Sequence, residues 1–314
     1  MRQSIMPVAG IDTGKAFLDL AVIPGGAAFR VGNDPQGWRE AIERLQRAGV
    51  ERVGIEASGG YERGAIVALE QVGLAVVRHQ PAQIRLFARM RLQRAKNDRI
   101  DAQVIAAFTA LVHPQRPPAD PRLQALGDHL VYIEQLGEDI ARLKTRLEYQ
   151  HDERLAELIK TDIALLKRRQ AVERGMLEAA VRLEAVLSRR LDLLLSVPGI
   201  GLPTALVLMI QMPELGSITR EQAAALIGLA PFDRDSGQHR GQRHIAGGRA
   251  RPRKALYAAA LPTAFRWNRQ LVAFYRRLRA NGKAHKQALV ACARKLVIFA
   301  NTVLARNTPW QIQN

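Results

Sequence analysis

Cysteine is nearly absent from these 314 residues; Cys292 is the only one. A single thiol excludes an internal disulfide and a cysteine-rich zinc site, so Cys292 is expected as a small core residue. Uninterrupted apolar runs of about 20 residues, the length a membrane-crossing helix needs, are also missing. Met1–Met6 lacks the long apolar stretch of a secretory signal, and a cytoplasmic chain with no membrane partner is expected. Acidic residues are scarce: 29 Asp and Glu face 47 Lys and Arg, a net charge of +18. So large an excess of one sign attracts polyanions, which points to nucleic acid as the partner. Proline is missing between Pro121 and Pro198, which leaves room for long unbroken helices. Hydrophobic residues still make up 47%, enough for two or three domains with cores of their own.

The few acids are placed in a pattern. Strand-like runs at 7–12, 17–23 and 27–31 are separated by Thr13-Gly14 and Pro24-Gly25-Gly26, which predicts antiparallel hairpins. A helix follows over Gln36–Ala48, with Trp38, Ile42 and Leu45 at helical spacing. A strand over Val50–Glu56, a helix over Tyr61–Val72 and a strand over Leu74–Arg78 come next. Three meandering strands and then helix–strand–helix–strand is the order of a ribonuclease-H-like, mixed-sheet α/β domain. In that order Asp12 ends the first strand and Glu56 the fourth, on neighbours about 5 Å apart. Asp98 and Asp101 stand at i and i+3, hence on one face if their segment is helical.

Four carboxylates without Cys or paired His favour Mg2+ or Mn2+ over zinc, and such ions assist phosphodiester cleavage. Taken singly, Asp12 reads equally well as a turn residue. Asp98 with Asp101 reads equally as a helix N-cap with a first-turn carboxylate. Arg85, Arg89, Arg91, Arg94 and Lys96 precede that pair. They form either a solvated helix face or a seat for a phosphate backbone beside the acids.

In the middle, Ile133, Leu136, Ile140, Leu143 and Leu147 alternate spacings of three and four, the seam of a coiled coil. The pattern fails near Gln150–Glu153 and resumes with Val172, Met176, Leu183 and Leu187. This predicts a long helical hairpin turning between about 149 and 175, self-packed or serving oligomerisation. Farther on, Pro198-Gly199-Ile200-Gly201 between apolar helices has the form of a helix-hairpin-helix turn. Gly199 and Gly201 there would let backbone amides meet a phosphate, the other reading being an ordinary interhelix turn. Thr219–Gln222 has the form of a capping box.

Polarity then changes abruptly. Residues 230–251 are rich in Gly, Arg and His, with one hydroxyl nucleophile candidate, Ser236. A serine attacking phosphorus needs cations on the phosphoryl oxygens and a route for its proton. His239, Arg240, Arg243, His244 and Arg249 supply the residue types; a basic DNA-binding loop with Ser236 only in a turn is the plainer reading. Three helices are expected after it, over about 250–264, 268–280 and 284–305. Ala255–Ala260 should lie in the core, as should Trp267, Phe274 and Tyr275.

Together these residues resemble the transposases of the insertion-sequence 110/1111 family. Gly10-Ile11-Asp12, the stretch from Ile55-Glu56 to Glu62-Arg63 and Lys96–Ala102 look like its four-acid RuvC-like motifs. Pro231–Gly237, with Gly247–Ala250 and Ala255-Leu256-Tyr257, looks like its C-terminal transposase motif, nearest the 1111 branch. The resemblance implies a RuvC-like acidic domain over 1–115, a coiled-coil region over 116–195 and a mainly helical serine transposase domain over 196–314. It implies that Asp12, Glu56, Asp98 and Asp101 hold Mg2+ and that Ser236 holds DNA as a covalent phosphoserine. It further implies donor and target DNA, a structured guide RNA, a dimer that becomes a tetramer on DNA, and a bacterial protein found at the nucleoid when bound.

Three other readings fit parts of the chain. A junction nuclease would use the four acids without the serine, and a non-catalytic nucleic-acid scaffold would use neither. An actin-like kinase shares the Gly-Ile-Asp strand, but the charge and the lack of a clear second phosphate loop stand against it.

Overall fold

Two tripeptides of one form, Gly10-Ile11-Asp12 and Gly54-Ile55-Glu56, come from strands that run side by side in a five-stranded sheet. The strands are β1 (Val8–Thr13), β2 (Phe17–Ile23), β3 (Ala28–Gly32), β4 (Arg52–Glu56) and β5 (Ala75–His79). Their order is β3-β2-β1-β4-β5; the first three pair antiparallel, and β4 runs parallel to both β1 and β5. This is the mixed sheet expected from the strand order. The computed structural model describes residues 6–25, 28–91, 98–112, 121–232 and 244–311, the side chains of 98–100, 121 and 232 excepted. The chain divides into two units, residues 1–118 and 119–314.

Successive strand side chains point to opposite faces, so each tripeptide serves both sides of the sheet. Ile11 and Ile55 join Leu18, Leu20 and Val53 on one face, under Ala41 and Leu45 of α1 (Pro35–Arg47) and Ala65 and Leu69 of α2 (Arg63–Gln71). Asp34 begins α1 by accepting from the Gln36 and Gly37 amides, both at 2.9 Å. After β5 the chain forms α3 (Pro81–Met90) and then α4 (Asp98–Leu111), which covers the other face. Gly10 and Gly54 are register partners there. A Cβ on Gly10 would lie 2.2 Å from the Ala102 carbonyl and the Ala106 amide, and one on Gly54 would lie 1.8 Å from Thr109 Oγ1. The helix sits this close only because both positions lack a side chain.

The second unit is helical. Helices α5 (Pro121–Glu148) and α6 (Glu153–Arg182) pack together, and the turn falls at the early end of the expected interval. Asp152 starts α6 by accepting from the Leu155 amide at 2.9 Å. On α5, Ile133, Leu136 and Ile140 are buried as expected. The expected α6 seam is corrected: Val172, Met176 and Leu183 are exposed, and Ile159, Ile163, Leu177 and Val181 are buried instead. Apolar burial sets this phase, with Leu166 packed beside Ile159 and Ile163, and polar pairing fills the gap in the apolar run. Gln170 donates to the Ile133 carbonyl at 3.1 Å, and His129 pairs with Glu173 at 2.8 Å. Both contacts hold a polar side chain in the interface and turn Val172 outward.

Helices α7 (Ala185–Leu195), α8 (Leu202–Gln211), α9 (Arg220–Ile227), α10 (Ala250–Pro262), α11 (Arg269–Ala280) and α12 (His285–Arg306) complete the unit. A π-helical turn, Thr263–Trp267, links α10 to α11. Thr219 caps α9 in the expected capping box. Helix α12 has the length and composition to cross a membrane, yet Leu289, Cys292, Leu296 and Val297 on it are fully buried against the other helices. Cys292 is the core residue expected. Leu256, Ala259 and Ala260 are buried as well, but Ala258 is exposed. Tyr275 is buried and Phe274 partly so, while Trp267 is 61% exposed, which corrects its expected core placement.

Candidate active site

The alternation that sends Ile11 and Ile55 into one core sends Asp12 and Glu56 to the α4 face. Both acids lie two residues beyond the Gly10–Gly54 line in the direction of the chain; Glu56 is the last residue of β4 and Asp12 the last but one of β1. Helix α4 begins at Asp98, so Asp98 and Asp101 occupy its first turn, at the positive end of the helix dipole,. The Ala102 carbonyl lies against Gly10, which sets Asp101, its neighbour in sequence, over the same sheet face. Asp12, Glu56 and Asp101 are all partly exposed. The Asp98 side chain lies outside the described residues. Among the described residues no three His, Cys, Asp or Glu side chains form a group that could hold a metal ion. The oxygen-only donor set is of the type that suits a hard divalent cation.

Four further residues shape this edge, and the sequence reading gave none of them a role. Asp19 stands directly opposite Asp12 on β2 and is buried; its other register neighbour, Arg30 on β3, donates to it at 2.7 and 3.0 Å. A lone acid in the apolar run Phe17–Ile23, opposite Asp12 across a short turn, was the available signal. Asn33 donates to the Gly14 carbonyl at 2.9 Å and the Tyr61 carbonyl at 3.0 Å, and the Trp38 indole fixes its oxygen at 2.8 Å. It thereby ties the turn after Asp12 to the loop after Glu56.

That loop closes on Glu62, which is buried and accepts from the Gly60 amide at 2.8 Å and the Ser58 amide at 3.2 Å. Burial alone would raise the Glu62 carboxyl, but these amides, its own amide and the Arg78 charge hold it below the usual range. His79 lies beside Glu56 in the β4–β5 register and bonds Thr109 of α4 at 2.8 Å. Thr109 gives its own proton to the Ile105 carbonyl at 2.6 Å, so the His79 Nε2 must be the donor. Burial, helped by the Arg52 charge, pushes the imidazole down to about 4, and it stands neutral near pH 7. Nothing in the sequence marked Asn33 or His79.

Arg85 and Arg89 are exposed on α3, and Arg91 follows it, exposed, with its guanidinium 5.7 Å from the Phe87 ring centroid. Arg94 and Lys96 lie outside the described residues. In the second unit Gly199 takes φ +101°, and a Cβ there would strike the Thr263 side chain. Asn268 donates to the Pro198 carbonyl at 3.1 Å, so the turn is pinned from below; Gly201, which begins α8, is exposed. Arg249 points inward, donating to Glu214 at 2.5 and 2.8 Å and to the Gln211 carbonyl at 2.6 Å. Ser236, His239, Arg240 and Arg243 lie outside the described residues. The chain on either side of them is paired: β6 (Pro231–Phe232) and β7 (His244–Ile245) form a two-residue antiparallel ladder.

Comparison with known proteins covers both units. Residues 9–153 match a DEDD-type IS110 family model described as a transposase, and residues 191–276 match one described as transposase IS116/IS110/IS902 family. Pilin gene-inverting protein of Moraxella bovis is 26% identical over 295 residues, covering 88% of each chain. Its counterpart in Moraxella lacunata is 26% identical over 269 residues, covering 82% of this chain and 80% of the relative. An IS110 protein of Streptomyces coelicolor is 34% identical over 111 residues, 34% of this chain and 27% of that one. With both family models in sequence order across a chain of this architecture, the protein belongs to the IS110 family of transposases.

Proposed function

We propose that the protein is a DNA recombinase of an insertion sequence that cuts and rejoins donor and target DNA through a covalent bond to Ser236. The observation that supports this reading is that Asp12 and Glu56 lie near the ends of adjacent parallel strands, on the sheet face that α4 covers. In this reading Asp12, Glu56, Asp98 and Asp101 hold Mg2+ or Mn2+, which when bound supplies positive charge to a scissile phosphate. The Ser236 oxygen bonds phosphorus, a deoxyribose oxygen leaves with a proton, and the number of phosphodiester linkages is unchanged. Rejoining reverses the step with a different deoxyribose hydroxyl, so no outside energy source is required.

The acidic chemistry is assigned to residues 1–115, assembly to the helices of 116–195, and DNA attachment to residues 196–314. Arg85, Arg89, Arg91, Arg94 and Lys96, with Gly199, Gly201, Arg240 and Arg243, are proposed to lie along the nucleic acid; Arg249, its guanidinium taken up by Glu214 and the Gln211 carbonyl, is left out of that set. A structured guide RNA and a homo-oligomer, a dimer becoming a tetramer on DNA, complete the proposal, and both rest on the family resemblance.

The test is a denaturing gel of labelled DNA ends followed by peptide mapping. A DNA–protein adduct at Ser236 is expected, lost in chelator, in Asp12→Ala and in Ser236→Ala, with DNA binding retained in both variants. Normal strand exchange by Ser236→Ala would return the chain to the junction-nuclease reading.

A further inference from the structure

Residues 236–314 contain sixteen Lys and Arg and not one Asp or Glu. Surface built from this segment is cationic throughout, and an exposed aromatic feature stands in the midst of it. Pro262 has no amide to continue the α10 ladder, and the chain widens there into the π-helical turn Thr263–Trp267,. The two ends of the turn are fixed inward. Thr263, fully buried, donates to the Ala259 carbonyl at 2.5 Å. Asn268, also buried, donates to the Pro198 carbonyl at 3.1 Å and caps α11 through the Leu271 amide at 3.2 Å.

Between these anchors Phe265 is 53% and Trp267 61% exposed. Phe265 meets the Tyr275 ring edge-to-face at 4.9 Å, and the Tyr275 hydroxyl bonds His285 at 2.7 Å. The Arg266 guanidinium lies 5.5 Å from the Trp267 ring centroid, and Arg269 is exposed two residues on. An indole held out in water on a braced turn gives up burial energy that a flexible polar loop would not. A protein partner would need a strongly acidic surface to meet this one. Nucleic acid offers both phosphates for the arginines and flat faces for the indole.

We propose that Trp267 is a stacking platform for an unpaired base of the DNA, with Arg266 and Arg269 on the phosphates that flank it. The proposal rests on the recombinase reading, in which strands leave one duplex before they join another and so expose unpaired bases. Phe265 and Asn268 hold the platform in place and make no base contact themselves.

The experiment measures anisotropy with three labelled probes: a DNA duplex, the same duplex with a central thymine bulge, and the bulge made in RNA. Trp267→Ala is expected to weaken binding of the bulged DNA about 5- to 150-fold, the range of a lost base–aromatic stack. Plain duplex affinity and the salt dependence should stay as they were, because the phosphate contacts remain. Trp267→Tyr should keep most of the preference, and unchanged thermal melting of each variant excludes a folding defect. In the unaltered protein, 2-aminopurine placed in the bulge should lose fluorescence on binding. Equal losses on plain and bulged DNA, no loss on either, or a loss confined to bulged RNA would overturn the platform and leave the recombinase reading standing. Failure of the unaltered protein to bind any DNA would overturn that reading itself.

Discussion

Asp19 lies directly across the β1–β2 ladder from Asp12, so two carboxylates face the same way on neighbouring strands. Like charges so placed repel. Arg30, the next residue in the same line on β3, offsets one of them with a two-pronged bond to Asp19. Removing Arg30 leaves the Asp19 carboxylate buried beside Asp12. Arg30→Met should cost about 1–3 kcal/mol, toward the low end because Arg30 is half exposed. Adding Asp19→Asn should restore most of it. Urea unfolding of the single and double variants reads both effects, and an unchanged midpoint for Arg30→Met would refute the pairing.

Helix α4 presses on two positions without side chains. Gly10→Ala and Gly54→Ala should each cost about 3 kcal/mol or more, since backbone or a buried hydroxyl would have to move,. Gly175→Ala, on α6 with nothing within 4 Å of the new methyl, should be neutral or stabilise by about 0.5–1 kcal/mol. Denaturant titrations of the three variants would expose any inversion of that order.

His79 makes stability depend on pH with a definite sign. Its folded value, about 4, lies below the ordinary 6.5. The unfolded chain therefore takes up a proton first as pH falls. The contribution is complete above pH 6.5, is lost progressively between 6.5 and 4, and does not change further below that. Its full size is about 3 kcal/mol at one pKa unit per 1.36 kcal/mol. His79→Gln keeps a donor for Thr109 and should flatten this slope; urea midpoints at pH 5 and pH 7.5 decide it.

The strands, most helices and the placing of Asp12 and Glu56 near the ends of neighbouring strands were legible in the sequence because they rest on local signals. Apolar alternation, turn glycines and caps such as Thr219 act within a few residues. What escaped was set by distant partners. The phase of α6 follows Ile159, Ile163, Leu166, Leu177 and Val181, a run interrupted by Gln170 and Glu173, whose partners Ile133 and His129 lie 37 and 44 residues away. Trp267 looked like core because large aromatics usually are; the turn forced by Pro262 holds it outside. Asn33 and His79 act on groups 19 to 30 residues away, Gly14, Tyr61 and Thr109.

Arg249 shows why residue type alone was insufficient. It stands in a basic run, yet its guanidinium is taken up by Glu214 and the Gln211 carbonyl. Arg249→Lys cannot reproduce the two-pronged geometry. It should lower the melting midpoint of the second unit by the equivalent of about 1–3 kcal/mol, and Glu214→Gln should do the same by a smaller amount. Calorimetry of the full chain would reveal it; a Lys variant melting like the parent would show that the pair is dispensable.

The paired Gly-Ile-acid tripeptides set a rule for reading other chains. Each letter has a separate reason to be there: no side chain where the helix presses, a branched apolar group for the opposite core, a carboxylate at the exposed end. The three requirements come from three different neighbours, so drift at one letter is not relieved by change at another. Two such triplets about forty residues apart, each closing an apolar run, can therefore be searched for in one unaligned sequence. A chain carrying the second acid but a bulky residue two places before it would have had to move its helix, and with it everything mounted on that helix.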